Sequence, residues 1–232
     1  MQTIIIATIK EWNIKNYFAL KEKYKKEFHF ELVTNHEELT LEYVQQLNPK
    51  YIIFPHWSWI IPKEIYKNYE CIVFHMTDLP YGRGGSPLQN LITNQIYDTK
   101  ISALKVSDGL DSGDIYLKTD FNIEFGSATE IFEKASTITF NELIPMFFHK
   151  TITPKPQEGE ITTFKRRTPE QSNLNTTESI SIKTLYDFIR MLDAEGYPKA
   201  FFALEKFNIE LSDVQLKDNT LSGKFEVKEN EK

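Results

Sequence analysis

The sequence predicts an α/β fold: a parallel sheet with crossover helices, followed by a small C-terminal α+β subdomain. The first third of the chain alternates short apolar strand signals with stretches of helical periodicity. Two further strand signals flank an Asp/Gly-rich turn in the middle. Beyond that, Pro154, Pro156 and Gly159 break the pattern, and weaker signals resume only near the end. Alternating strands and helices build βαβ units, whose right-handed crossovers make the strands parallel. The result is a Rossmann-like arrangement, in which ligands sit beyond the carboxyl ends of the strands. The breaks divide the chain into a main domain over 1–160 and a linker with a small subdomain over 161–232.

Ile4-Ile5-Ile6 is a short buried strand, and Asn13 to Lys26 carries apolar residues at helical spacing. Phe28, Phe30 and Leu32 alternate with His29 and Glu31, a strand. Thr34 and Glu37 have capping-box spacing ahead of a helix through Leu39, Val44 and Leu47. Tyr51 to Phe54 is a third strand, closed by Pro55, and Cys71 to Phe74 is a fourth. Asp78 to Pro87 is a loop. Ser86-Pro87-Leu88-Gln89 then predicts a helix, with a cap residue, proline at the first position and glutamine in the capping-box place. Thr99–Val106 and Ile115–Phe121 form a strand pair. Ser127 and Glu130 start a long helix to about Lys150. Lys165-Arg166-Arg167 and the Asn/Thr/Ser-rich stretch to Ser179 predict a solvated linker. Leu185, Phe188, Ile189 and Leu192 mark an amphipathic helix, Phe201 to Val227 gives two or three strands, and Lys228 to Lys232 is expected to fray.

Composition narrows the function. A chain that is 41% hydrophobic and 13% aromatic fills a core, which excludes wholesale disorder. With 27 basic and 33 acidic residues the net charge is −6, which argues against nucleic-acid binding through bulk charge. Cys71, the single cysteine, forms no internal disulfide or cysteine-ligated zinc site and suggests a reducing compartment. The amino terminus has no positive region, and no apolar run is long enough to span a bilayer. A cytoplasmic protein with no membrane partner and no metal is expected.

Three features lie where such a fold keeps its site. His75 directly follows the fourth strand, and imidazole works as an acid or base near neutral pH. Read alone, it is more readily a structural histidine bonded to loop backbone. Gly82-Arg83-Gly84-Gly85 lets backbone approach a ligand closely, or simply turn. Its spacing is neither a dinucleotide fingerprint nor a phosphate loop. Asp108-Gly109-Leu110-Asp111-Ser112-Gly113-Asp114 is an ordinary polar turn, or it aims one carboxylate at His75. Its spacing does not match an EF-hand calcium loop.

In combination these segments carry a more specific pattern: Phe74-His75-Met76-Thr77-Asp78-Leu79-Pro80, then Gly82 to Pro87 with Gln89, then Asp108 to Ile115. The order and spacing resemble the formyltransferases that use 10-formyltetrahydrofolate, over about residues 50–150 and more weakly beyond. The family has Asn where this sequence has Val73. The resemblance implies a Rossmann-like formyltransferase domain. It further implies that His75 polarises the formyl oxygen, that Asp111 handles protons, and that Asn90 is a candidate replacement for the missing amide. By the same resemblance, Trp57, Ser58, Ile60, Asp108 and Gly109 surround the pterin, although either tryptophan is as readily core. Arg83, with Gly84 and Gly85, is the candidate anchor for an acceptor phosphate, guanidinium being permanently charged and bidentate.

The segment from Phe74 to Leu91 is most similar to sugar N-formyltransferases associated with pseudaminic-acid-type pathways, which makes a nucleotide-linked amino sugar the expected acceptor. After Arg167 few residues remain for the carboxyl-terminal barrel of the tRNA enzymes, and the tail from Glu205 carries more acidic than basic residues. A tail that grips a phosphate backbone needs a basic excess, so no nucleic-acid partner is expected. A homodimer through the tail is compatible with its strands. The competing readings are a methionyl-tRNA or peptide-synthetase-type aminoacyl formyltransferase, a folate binder without activity, and a hydrolase. Retention of both His75 and Asp111 favours a transferase.

Overall fold

A computed structural model describes residues 1–176 and 180–229. The end of the expected linker, 177–179, and most of the expected frayed tail, 230–232, lie outside them. In chain order the elements are β1 (Gln2–Thr8), α1 (Glu11–Tyr24), β2 (Phe28–Val33), α2 (Leu41–Leu47), β3 (Tyr51–His56), α3 (Lys63–Tyr66) and β4 (Cys71–His75). Then come β5 (Arg83–Gly84), α4 (Pro87–Thr93), β6 (Asp98–Lys105), β7 (Ile115–Asn122), α5 (Ala128–Ile138), α6 (Ile144–His149) and β8 (Thr163–Phe164). The chain ends with α7 (Ile182–Arg190), β9 (Ala200–Ala203), β10 (Phe207–Lys217) and β11 (Thr220–Glu229). One compact unit comprises Met1–Gly84, Thr99–Phe121 and Glu133–Thr163; the other comprises Gly85–Asp98, Asn122–Phe132 and Phe164–Lys232. The chain passes between the units five times, the last time between Thr163 and Phe164.

The first unit holds a six-stranded sheet of order β2-β1-β3-β4-β6-β7. The first four strands in that order are parallel, and β4 meets β6 antiparallel. Alternate residues of each strand face opposite sides. Ile4, Ile6, Ile53 and Ile72 pack with Tyr17 and Phe147 on one side, while Ile5, Ile52, Phe54 and Cys71 pack with Val44 and Ile65 on the other. Burial of both faces explains why these strands are continuous apolar runs in the sequence.

Four local expectations differ from the structure. Helix α2 is capped by Thr40, whose Oγ1 accepts the Tyr43 N–H at 3.1 Å. Thr34 has no such role, because Asn35 opens a separate short 3-10 turn at His36–Glu38. Pro55 lies inside β3, not beyond it, where the register with β1 shifts between Ile6 and Thr8. Such an irregularity tolerates a residue without an N–H. The long helix after Ser127 has its capping box, with both reciprocal bonds to Glu130 present. It is interrupted by a π turn at Thr139–Leu143 just ahead of Pro145, which cannot donate into a regular helical ladder. Ser86 does not cap α4: it has φ 51°, its Oγ accepts the Arg167 N–H, and Gln89 instead donates to the Met191 carbonyl.

In the second unit β9, β10 and β11 form an antiparallel sheet of order β11-β10-β9. Helix α7 brings a buried ion pair with its apolar stripe. Arg190 donates to Asp187 at 2.7 Å and to the carbonyls of Gly126 and Ile123 at 2.9 and 3.0 Å. Asp187 also accepts from Tyr97 and Lys183. A buried guanidinium persists in an apolar interior only with such partners.

Candidate active site

Strand β4 places His75 where the sheet ends. Cys71, Val73 and His75 share one side of the strand by alternation, and Cys71 and Val73 belong to the apolar cluster of that side. His75 continues that line to the strand end and is only 7% exposed. Its Nε2 lies 2.8 Å from the Gly82 carbonyl oxygen. A carbonyl only accepts, so the proton resides on Nε2 and Nδ1 is left to act. Nδ1 faces Asp111 Oδ2 at 3.6 Å.

Asp111 reaches that position from a tightly constrained turn. Its backbone is left-handed, with φ 49°. A Cβ on Gly113 would stand 1.7 Å from the Lys105 carbonyl oxygen, so only glycine lets the chain close there. The Lys105 N–H then donates to the Asp114 carbonyl at 2.9 Å, and Oδ2 of Asp111 accepts the Gly84 N–H at 2.9 Å. Segment 157–162 holds the other side. Thr162 accepts the Gly82 N–H on its hydroxyl and the Arg83 N–H on its carbonyl. Gln157 accepts from Arg83 and donates to the carbonyls of Asp111 and Gly113. Sequence reasoning missed Gln157 and Thr162; the only signal was a pair of polar residues in a Pro/Gly-broken stretch.

The other expected residues divide. Trp57 is half-buried against Phe54, whereas Trp59 stacks on His36 with centroids 4.7 Å apart. Ser58 is exposed and Ile60 is 95% exposed, leaving an apolar side chain free in the loop expected at the pterin. The Asp108 carboxylate is bound by Lys67 at 2.7 Å, Lys63 at 3.0 Å and the Tyr66 hydroxyl at 2.9 Å. The hydrogen bonds from Lys67, Lys63 and Tyr66 hold its carboxyl well below the usual carboxylate range. The Asp108 carboxylate is therefore committed to these neighbours. A depression of about 440 Å³ borders the Asp108 turn, but its lining, Tyr66–Glu70, Lys105–Ser107 and Ser112–Asp114, includes neither His75 nor Asp111. Among the described residues no group of His, Cys, Asp or Glu side chains could hold a metal ion.

Gly85 and Asn90 belong to the second unit. A Cβ on Gly85 would lie 2.7 Å from Arg166 Cβ, so glycine there admits the Arg166 backbone. The Asn90 amide donates to the carbonyls of Gly85, Ser86 and Lys165 at 2.9–3.1 Å. These bonds brace the turn, and the N–H groups of the amide are directed at them. The backbone of the Lys165–Arg167 run is tied down, through the Lys165 carbonyl to Asn90 and the Arg167 N–H to Ser86, while Lys165 and Arg166 are exposed as expected of a solvated charge run.

Against this geometry, a comparison with protein-family models matches residues 9–140 to the formyl transferase model. The chain belongs to the formyl transferase family. Residues 169–228 match the methionyl-tRNA formyltransferase C-terminal domain. A methionyl-tRNA formyltransferase structure from Clostridium thermocellum is 50% identical, covers 99% of this chain and 100% of that one, and superposes with a TM-score of 0.96. The methionyl-tRNA formyltransferase of Campylobacter jejuni (strain 81-176) is 28% identical over 192 residues, 82% of this chain. The chain spans 61% of that relative's length. Aquifex aeolicus HypX in complex with tetrahydrofolic acid shares the fold at 19% identity, with a TM-score of 0.73 over 91% of this chain and 37% of that one. A sugar N-formyltransferase from Shewanella sp. FDAARGOS_354 shares it at 16%, with a TM-score of 0.66 over 96% of each chain.

Membership of the formyl transferase family meets the expectations of fold and enzyme class. Two expectations are overturned. The sugar acceptor, with its pseudaminic-acid association, is displaced by the tRNA-enzyme matches at 28% and 50% identity, against 16% for the sugar enzyme. The exclusion of a nucleic-acid partner falls with it, because the tail judged too short matches a tRNA-enzyme domain. The acidic excess counted from Glu205 does not include Lys165, Arg166 and Arg167, which stand ahead of it. Among the described residues no helix is long and apolar enough to cross a membrane.

Proposed function

We propose that this enzyme transfers the formyl group of 10-formyltetrahydrofolate to the α-amine of methionyl-tRNA. The observation that carries the reading is the 50% identical relative matched over the full length of both chains, with the C-terminal domain match as second support. The donor supplies a formyl group bonded to nitrogen. His75, protonated on Nε2, offers Nδ1 to the attacking amine's proton, and the resulting imidazolium stabilises the developing oxyanion. Asp111 faces the same nitrogen, takes up that proton and relays it to the folate nitrogen as the bond from that nitrogen to the formyl carbon breaks, so that tetrahydrofolate leaves and the formyl group stays on the amine. Exposed Ile60 and the backbone of Asp108–Gly109 fit the pterin, and Arg83 fits an acceptor phosphate.

The test is formylation of charged initiator tRNA with 10-formyltetrahydrofolate, following formyl-methionyl-tRNA and tetrahydrofolate together. Equal release of both, weakening as salt rises, is the expected result. Release of tetrahydrofolate without formylated tRNA would sink the acceptor assignment.

A further inference from the structure

The side chain of Gln157 makes four hydrogen bonds, and both ends of its amide have assigned roles. Oε1 accepts from Arg83 Nε at 3.1 Å and from an Arg83 terminal nitrogen at 2.9 Å. Nε2 donates to the Asp111 carbonyl at 2.8 Å and to the Gly113 carbonyl at 2.8 Å. A guanidinium only donates and a carbonyl only accepts, so the amide fits in one orientation. One side chain thus ties a guanidinium to the turn that carries Asp111. That turn needs a tie, since Asp111 holds a left-handed backbone and its Oδ2 lies within reach of both the Gly84 N–H and His75 Nδ1.

We propose that Gln157 is a positioning residue: it aims Arg83 for the acceptor and holds the Asp111 turn so that the carboxylate faces His75. This rests on the reading above that Asp111 handles the transferred proton and Arg83 meets the acceptor. Arg83 keeps its other terminal nitrogen, with two N–H groups, for an anion. The two halves of the amide therefore serve two kinetic constants. Loss of the Oε1 half frees Arg83 and raises the acceptor KM. Loss of the Nε2 half lets the turn drift and lowers kcat.

The substitutions Gln157→Ala and Gln157→Glu separate these halves. Alanine removes both. Glutamate is nearly isosteric and still accepts from Arg83, but it turns lone pairs toward two carbonyls and cannot donate. The expected result is a kcat about 10-fold to 100-fold lower in both variants, as for a displaced catalytic group, with acceptor KM raised only in Gln157→Ala. Amide exchange of Gly84, whose N–H is held by Asp111, is read by NMR in the substrate-free protein. It should accelerate in both variants toward the rate in Asp111→Ala. Wild-type kcat in Gln157→Glu overturns the proposal, and so does unchanged Gly84 protection in both variants. A wild-type protein that does not formylate methionyl-tRNA fails the acceptor reading alone, because Gly84 exchange still reports on Gln157 without any substrate.

Discussion

The two ring nitrogens of His75 have different neighbours, a carbonyl at Nε2 and a carboxylate at Nδ1, and the proposed mechanism rests on that asymmetry. In that mechanism His75→Ala removes the acid–base group, and Asp111→Asn removes the carboxylate facing it. Each should lower kcat about 100-fold to 1000-fold, measured beside thermal unfolding to show an intact fold. Wild-type-like turnover in either variant would remove the mechanism. Val73, standing where the resemblance leads one to expect Asn, packs beside the Phe54 and Cys71 cluster. Val73→Asn should therefore cost about 1 kcal/mol in urea unfolding, through a half-buried amide without designed partners, and should not raise turnover. At this scale His75 and Asp111 were legible because each sits in a short motif of local turn and strand-end chemistry. Gln157 was not, because its partner Arg83 lies 74 residues away and its other acceptors are backbone carbonyls, which no side-chain pattern records.

Helix ends and hairpin turns test the fold at the level of the element. Thr40→Ala should lower stability by about 1 kcal/mol because the Tyr43 N–H loses its acceptor, whereas Thr34→Ala should be nearly neutral. Equal losses in denaturant melts of the two would refute the assignment of the cap. Gly113→Ala forces a backbone shift against Lys105, so both stability and kcat should fall. Strands were readable from composition because both faces of the sheet are buried. Helix starts were less so, since Thr34 and Thr40 present similar local signals and only the position of the 3-10 turn decides between them. The π turn was invisible because it answers to Pro145 further along the helix.

For the molecule as a whole, burial is the common cause behind its expected response to alkali. Burial pushes the Cys71 thiol and the Tyr17 hydroxyl up to about 12, with Glu70 adding to the first and Glu31 to the second. The folded state thus keeps protons that the unfolded chain releases from its ordinary values of 9.0 and 10.0 upward. Stability contributed by these groups is complete below about pH 9 and declines as pH rises toward 12. Equilibrium unfolding between those limits should show the decline, and Cys71→Ala should reduce its slope.

Interleaving of the two units bears on biosynthesis. The buried Arg190 on α7 is the partner of the Gly126 and Ile123 carbonyls, and Gln89 on α4 donates to Met191. The ribosome delivers α4 and the 122–132 segment well before α7, so these groups wait for partners that have not yet been made. The second unit cannot complete its interior until α7 leaves the exit tunnel, and a transcript truncated after residue 160 yields a nascent chain with those positions permanently unanswered.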